Sequence, residues 1–280
     1  MVKVLEEIMQ VITQSPALDN ALIDTANWAN EQWVHEQFSW MRENAPLQYL
    51  SPEGYEPFWN VTRYHDIKEI EGNKKLFIND PRPTLGLQMV TQMMQQMSGR
   101  KHLVRSLVQM DDPDHMKYRR LTQGWFMGSN LRKLQDRVDE LADEYVSRMA
   151  DMGGECDFVK DVAMWFPLRV IMSILGVPEE DEPLMLKLTQ ELFGSTDPDT
   201  TRSFDMMEFM DVVLDFEKYF AQLTQARRDN PTDDVASLIA NAEVDGAPIP
   251  EHEANGYYII IATAGHDTTS SSSTGGLLAL

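Results

Sequence analysis

The stretch whose reading decides this chain runs from Ala262 to Leu280, "ATAGHDTTSSSSTGGLLAL", directly after "GYYIII" (Gly256–Ile261). Seven consecutive hydroxyl residues, Thr268–Thr274, separate an acid from a Gly–Gly pair. Ser, Thr and Gly are middling to poor helix formers, so local propensity suggests coil. The apolar residues before the run and the lack of any proline suggest the opposite. Two readings are open: a surface helix end or Ser-rich disordered tail, or a helix whose odd residues serve chemistry. If Glu251–Leu280 is one helix, Ala264 and Thr268 lie one above the other with Gly265 beside them. A small residue and a glycine leave a shallow dent where a flat ligand can approach. The Thr268 hydroxyl can bond back to the Ala264 carbonyl and open the helix there. Asp267, next to it, is a group that takes up and releases protons.

A second stretch, "MDDPDHMKYRRL" (Met110–Leu121), begins a helix, with Pro113 suited to the first turn and Asp112 to the N-cap. His115 and Arg119 are then four apart on one face. Two donors so placed suit a carboxylate or phosphate, which the guanidinium grips through two hydrogen bonds. The plain alternative is an ordinary surface pair. Zinc is not expected, because no second His or Cys stands at helical spacing nearby.

Composition narrows the classes. Apolar residues make up 42% of the 280, enough for a core, and 45 acids against 24 bases give a net charge of −21. Such a balance argues against general binding to nucleic acid or anionic membranes. The charge is uneven: Glu179–Glu217 holds twelve acids and two bases, whereas Arg100–Arg137 holds nine bases and four acids. The basic island either docks an acidic partner or anionic ligand, or is simply a solvated face. One cysteine, Cys156, excludes an internal disulfide and fits a reducing compartment. Acids on both sides of it disfavour a thiolate, so a structural role is expected. No signal peptide or membrane span is legible, and a cytoplasmic protein is expected.

Along the chain the pattern is mainly α with a small β element. "LQYL" and "FWNVTRY", on either side of the turn-like "SPEGYEP", predict a β-hairpin at about 45–65. "HDIKEIEGN" predicts a short helix stopped at Gly72. "MVTQMMQQM" packs four methionines into nine positions, as core filler or as an adaptable ligand-facing surface. From Asp114 onward nearly everything is helical, with Leu131, Leu134, Val138, Leu141 and Tyr145 along one face. No composition shift marks a domain boundary.

Taken together, "AGHDTT" and "DDPDHMKYRR" resemble the cytochromes P450, the heme-thiolate monooxygenases. The first is similar to that family's oxygen-binding helix pattern, the second to the bacterial pattern whose His and Arg contact the heme propionates. "FWNVTRYHDI" and "DDVASLIANAEVDG" also fit, and the likeness is greatest to soluble bacterial members of the terpineol-hydroxylating branch. The resemblance implies the N-terminal portion of the P450 fold, a single incomplete domain over 1–280 ending within the long oxygen-binding helix. It implies heme b (iron-protoporphyrin IX), dioxygen as co-substrate, and electrons from NAD(P)H through a reductase and an acidic ferredoxin. His115 and Arg119 would bind propionates, Ala264 and Gly265 would lie against the heme face, and Asp267 and Thr268 would relay protons to dioxygen. The substrate would be small and apolar, such as a terpenoid, a hydrocarbon or a steroid-like lipid.

The departure from the family is large. Its axial cysteine lies in a Gly-rich loop well beyond the oxygen-binding helix, and this sequence has no such loop. A thiolate is what pushes electron density onto the iron, so residues 1–280 alone are expected to be inactive, with exposed apolar faces on the last helix. A rival reading is a non-catalytic helical binding or interaction protein, or a pseudogene product, in which both motifs are coincidental.

Overall fold

The computed structural model describes residues 16–99, 102–194, 197, 199–203 and 206–280, and the chain divides into two compact units, Met1–His102 and Leu103–Leu280. The sequence pattern before Pro46 is also helical, and its first fifteen residues lie outside the described residues.

In the first unit three helices, α1 (Pro16–Ile23), α2 (Thr25–Trp28) and α3 (Glu31–Asn44), precede the expected hairpin of β1 (Leu47–Leu50) and β2 (Phe58–Val61). Asn30 caps α3 by accepting from the Trp33 amide at 3.1 Å. The strands run antiparallel with Leu47 opposite Val61 and Leu50 opposite Phe58. Tyr49 and Trp59 form a cross-strand pair with ring centroids 5.1 Å apart. Met41 of α3 and Leu50 of β1 are fully buried together with Leu22, and this small cluster fastens hairpin to helices. Helix α4 (Tyr64–Gly72) stops where Gly72 predicts, and α5 (Gln88–Ser98) ends at Gly99, whose φ of 67° needs a glycine. Core filling fails for the methionine run at Met89, which is 73% exposed.

The second unit holds α6 (Asp114–Gln123), α7 (Ser129–Asp151), α8 (Trp165–Leu175), α9 (Glu182–Phe193), α10 (Met206–Asp229), α11 (Val235–Ala240), α12 (Glu251–Ala264) and α13 (Asp267–Ala279). Its core gathers Leu168, Met172 and Leu175 of α8, Met185 and Leu188 of α9, and Ile239 of α11. Phe216, Phe220 and Tyr258 form a stacked column through it, with centroids 5.9 and 4.9 Å apart, joining α10 to α12. Each such side chain contributes about 1.5–3 kcal/mol on burial. Leu141 and Tyr145 of α7 are buried as their spacing predicts, but Leu131 is exposed, because the first turn of α7 reaches beyond that core.

Several local expectations need correction. Helix α6 starts at Asp114, so Pro113 and not Asp112 takes the N-cap position, and no side chain caps it. Pro167 lies in the first turn of α8, where its missing N–H costs nothing, and a π-helical segment, Val159–Ala163, precedes it. "EVDGAP" forms a second small ribbon, β3 (Glu243–Val244) with β4 (Ala247–Pro248), turned by Asp245 and Gly246 at φ 53° and 81°. Two successive positive φ values are what an Asp–Gly hairpin turn demands. Cys156 is exposed and so packs no core.

Buried charge ties the helices at their ends. Arg169 of α8 is 7% exposed and donates to Glu144 of α7 at 2.6 Å, to Glu182 of α9 at 3.1 Å, and to Glu179. Burial pushes the Glu182 carboxyl above the usual range, against the pull of Arg169. Asp234 caps α11 by accepting from the Ser237 amide at 2.7 Å and also accepts from Arg227 at 2.7 Å. Burial alone would raise its pKa, yet the bonds from Thr232, Ser237 and Arg227 hold it below the ordinary value.

Three substitutions test this packing. A Cβ on Gly256 of α12 would stand 2.0 Å from the Arg105 carbonyl oxygen, whereas Gly275 of α13 has nothing within 4 Å. Gly→Ala gains up to about 1 kcal/mol of helix propensity at either site, but overpacking costs about 1–3 kcal/mol. Urea melts should therefore show Gly275→Ala stabilised and Gly256→Ala destabilised. Arg169→Met should cost about 3–5 kcal/mol at pH 8 by stranding buried Glu182. A glutamate raised in the folded state binds a proton there before the unfolded chain does, so stability rises as pH falls. The loss in Arg169→Met should accordingly be smaller at pH 5 than at pH 8.

Candidate functional site

The helical stretch around Ala262–Leu280 is broken where its composition is oddest. Helix α12 ends at Ala264, Gly265 and His266 form a turn, and α13 starts at Asp267. Across the break, side chains take over from the backbone ladder. Thr268 Oγ1 donates to the Ala264 carbonyl at 3.4 Å, Thr269 Oγ1 to the Gly265 carbonyl at 3.2 Å, and His266 Nδ1 faces the Ala262 carbonyl at 3.1 Å. The ladder resumes with Ser270 N–H donating to the His266 carbonyl at 2.8 Å. Hydroxyl residues that look like coil formers are thus the groups that satisfy an interrupted helix.

Ala264, Asp267 and Thr268 lie exposed on one side of this break, and His266 is buried on the other at 3% exposure. Gly265 does not leave a dent on the exposed side of the turn. A Cβ there would stand 2.2 Å from Ile171 Cδ1 of α8, so the glycine permits close helix packing. The small group presented outward is Ala264, with Thr268 one turn above it.

His266 is the residue that the motif, read as a sequence, leaves unassigned. Its Nε2 stands 3.2 Å from Thr189 Oγ1 of α9. Burial pushes its pKa below the ordinary histidine value, against the Ala262 carbonyl and Asp267, which favour the charged ring. A carbonyl only accepts, so Nδ1 carries the proton facing Ala262.

His115 and Arg119 stand on α6, half-buried and exposed respectively. Among the described residues neither side chain has a hydrogen-bond or ion-pair partner. Their neighbours are committed: Arg105 donates to Asp114 at 2.8 Å and Glu253 at 3.0 Å, and Lys117 to Asp245 at 2.7 Å. Further along, Lys133 pairs with Asp233 at 2.6 Å and Arg137 with Glu140 at 3.2 Å. Four bases of the island are therefore neutralised, whereas Arg119, Arg120 and Arg132 are exposed cations with no carboxylate partner among the described residues. Helix α6 is fixed to α12 by a buried hydroxyl contact of 2.7 Å between Thr122 and Tyr257. Burial raises the Tyr257 pKa, while Thr122 and the charge of Arg119 lower it. Tyr257 and Ala264 are two turns apart on one face of α12, about 10 Å along the axis. No hydrogen bond joins the His115–Arg119 pair to the Ala264–Thr268 turn among the described residues.

These residues fit a heme. Two unpartnered basic side chains, one turn apart, match a pair of carboxylates. An exposed alanine beside an opened turn presents a small apolar group, with the Thr268 hydroxyl and the Asp267 carboxylate next to it. Among the described residues no group of His, Cys, Asp and Glu could hold a metal ion, and exposed Cys156 belongs to neither element. No helix among the described residues is long and apolar enough to cross a membrane.

No protein-family model matches the chain. It is 42% identical over 263 residues to cytochrome P450-terp of a Pseudomonas species, covering 90% of this chain and 61% of that protein. It is 28% identical to the methyl-branched lipid omega-hydroxylase of Mycobacterium tuberculosis, covering 95% of this chain and 62% of that protein. The crystal structure of CYP108D1 from Novosphingobium aromaticivorans superposes with a TM-score of 0.82 at 43% identity, over 96% of this chain and 64% of that one. The cytochrome P450 CYP268A2 of Mycobacterium marinum, in complex with pseudoionone, gives a TM-score of 0.79 at 25% identity, over 90% of this chain and 61% of that one. The broken helix with its stacked alanine and threonine and the two bases of α6 thus sit in a chain that has the fold of the cytochromes P450, is similar to them in sequence, and spans about three fifths of the length of those it matches.

Proposed function

We propose that these residues are the propionate-binding and oxygen-side parts of a heme-thiolate monooxygenase that hydroxylates a small apolar molecule. The observation that carries this reading is the unpaired His115–Arg119 couple on a helix bolted through Thr122 to the helix whose opened turn presents Ala264 and Thr268. The whole enzyme would act in the cytoplasm with electrons from NAD(P)H, passed by a reductase and an acidic ferredoxin. The exposed Arg120 and Arg132 support an acidic partner. The printed names of similar proteins, P450-terp and a methyl-branched lipid omega-hydroxylase, and the pseudoionone complex support a terpenoid or branched-lipid substrate.

A bound heme with a thiolate ligand would supply the redox chemistry that splits dioxygen. The chain's own residues hold that group and manage protons. His115 and Arg119 would clamp the propionates through charge-assisted hydrogen bonds. Ala264 keeps the approach open, since a larger side chain there would fill it. Hydroxylation puts one oxygen atom into the product and releases the other as water, which consumes two protons. Asp267 is exposed and can take protons from solvent. Thr268, its neighbour, donates to the Ala264 carbonyl over a long 3.4 Å contact, weak enough to be exchanged for a bond to water or substrate oxygen. The two together make a short path from solvent to the face of Ala264.

Three outcomes test this reading. The polypeptide read in frame beyond Leu280 should carry a cysteine loop. When loaded with heme and reduced under carbon monoxide, it should give the red-shifted thiolate band that residues 1–280 alone lack. A longer chain without the band sinks the proposal. In that protein Arg119→Ala should weaken heme retention by about tenfold to a hundredfold, the worth of a charged hydrogen bond. Thr268→Ala should leave the band intact and divert electrons to peroxide, read as peroxide formed per NAD(P)H consumed; unchanged coupling would refute the relay.

A further inference from the structure

We propose that His266 is a positioning residue for this turn and that it acts through Thr189 on α9. Its bearing on catalysis rests on the proposed function, in which the Ala264–Thr268 face receives the heme. A helix interrupted at Gly265 and His266 has lost the repeat that would fix the direction of the next segment, so α13 is placed by contacts outside its own ladder, among them its packing on α8 and on Val159–Ala163. Hydroxyl back-bonds from Thr268 and Thr269 are local and travel with the turn. Among the side-chain hydrogen bonds described at this break, that of the His266 ring reaches another helix of the core: one nitrogen faces the Ala262 carbonyl of α12 at 3.1 Å, the other Thr189 of α9 at 3.2 Å. Residues 77 apart in sequence are thereby joined across the core at the break between the two helices.

Proton bookkeeping makes the link specific. Nδ1 must donate to the Ala262 carbonyl, so in the neutral ring Nε2 is an acceptor. Thr189 has one hydroxyl proton and two acceptors within reach, His266 Nε2 at 3.2 Å and the Leu186 carbonyl one turn back at 2.9 Å, so donation to His266 is made in exchange for the bond to Leu186. Thr189 and His266 are both nearly inaccessible, at 1% and 3% exposure, so water cannot substitute for either partner. Phe, Leu or Met in place of His266 would fill the space and leave the Ala262 carbonyl unmet. Asn would reach that carbonyl without reaching Thr189. The imidazole meets both demands with one rigid ring.

The test uses the 280-residue chain first. Ring ¹⁵N shifts of His266 should show the Nδ1–H tautomer, and Thr189→Val should move the Nε2 resonance and leave Nδ1 in place. Loss of one buried hydrogen bond should speed exchange of the Ser270 amide by about tenfold while the α11 amides stay unchanged. His266→Asn should do the same, and Thr189→Ser should restore wild-type behaviour. An Nε2–H tautomer, an unmoved Ser270 amide in Thr189→Val, or no rescue by serine would each overturn the proposal. Should His266→Asn fail to fold, the Thr189 pair decides the matter. None of these readouts needs heme, so they separate this inference from the proposed function. In the heme-loaded longer protein, Thr189→Val should raise peroxide yield without altering the carbon monoxide band; an unchanged yield beside an accelerated Ser270 amide would reduce His266 to a merely structural residue.

Discussion

Two adjacent phenols on α12 hold the rest of the second unit in register. Tyr257 and Tyr258 point to different neighbours because consecutive helical residues are rotated by about 100°. Tyr257 meets Thr122 of α6 at 2.7 Å, and Tyr258 stacks on Phe220 of α10 while accepting from Thr224 at 3.1 Å and donating to the Ala236 carbonyl of α11 at 3.2 Å. Burial drives the Tyr258 pKa up to about 12, so the phenol remains a neutral donor throughout the physiological range. One dipeptide therefore fixes α12 against three helices. Everything attributed to the turn at its end presupposes that α12 cannot rotate or slide.

With α12 immobilised, the break at Gly265 and His266 acquires a defined outlook. Gly265 lets α8 approach through Ile171, and His266 turns inward to α9. What remains for the outside is Ala264, Asp267 and Thr268. The division of labour along this short run is steric and electrostatic at once. The residue without a side chain goes where space is least. The residue that can satisfy two polar neighbours from one rigid ring goes into the core. The acid and the hydroxyl stay where water and ligands can reach them.

Much of this is legible in the sequence, and the limits have physical causes. The hairpin is readable from "LQYL" and "FWNV" because aromatic and β-branched residues around a Pro–Gly turn are a local signal. Helix ends at Gly72 and Gly176 are readable for the same reason, the latter at φ 76°. The back-bond from Thr268 to Ala264 can be anticipated because both ends lie within one turn. Gly265 is expected in the right turn for the wrong reason, since a sequence shows that a residue is small but not which neighbour needs the space. The partners of Arg169, at separations of 10, 13 and 25 residues, and the Thr189–His266 link at 77, are long-range and carry no local signature. Among many acids the sequence cannot say which three a buried arginine will choose.

Charge is where counting and geometry diverge most. The stretch Arg100–Arg137 looks like a binding surface when only its nine bases are counted. In space, Arg105, Lys117, Lys133 and Arg137 turn to carboxylates, three of which come from beyond residue 230 in Asp233, Asp245 and Glu253. An ion pair at a surface is worth little to stability, about 0–1 kcal/mol, but it has a second effect: it removes a cation from those available to a ligand. What distinguishes a site is therefore not how many bases a segment carries but which of them the fold leaves unpaired. By that criterion the helix Asp114–Gln123 reduces to His115 and Arg119 on one face, with Arg120 beside them, and the other bases around it are part of the scaffold.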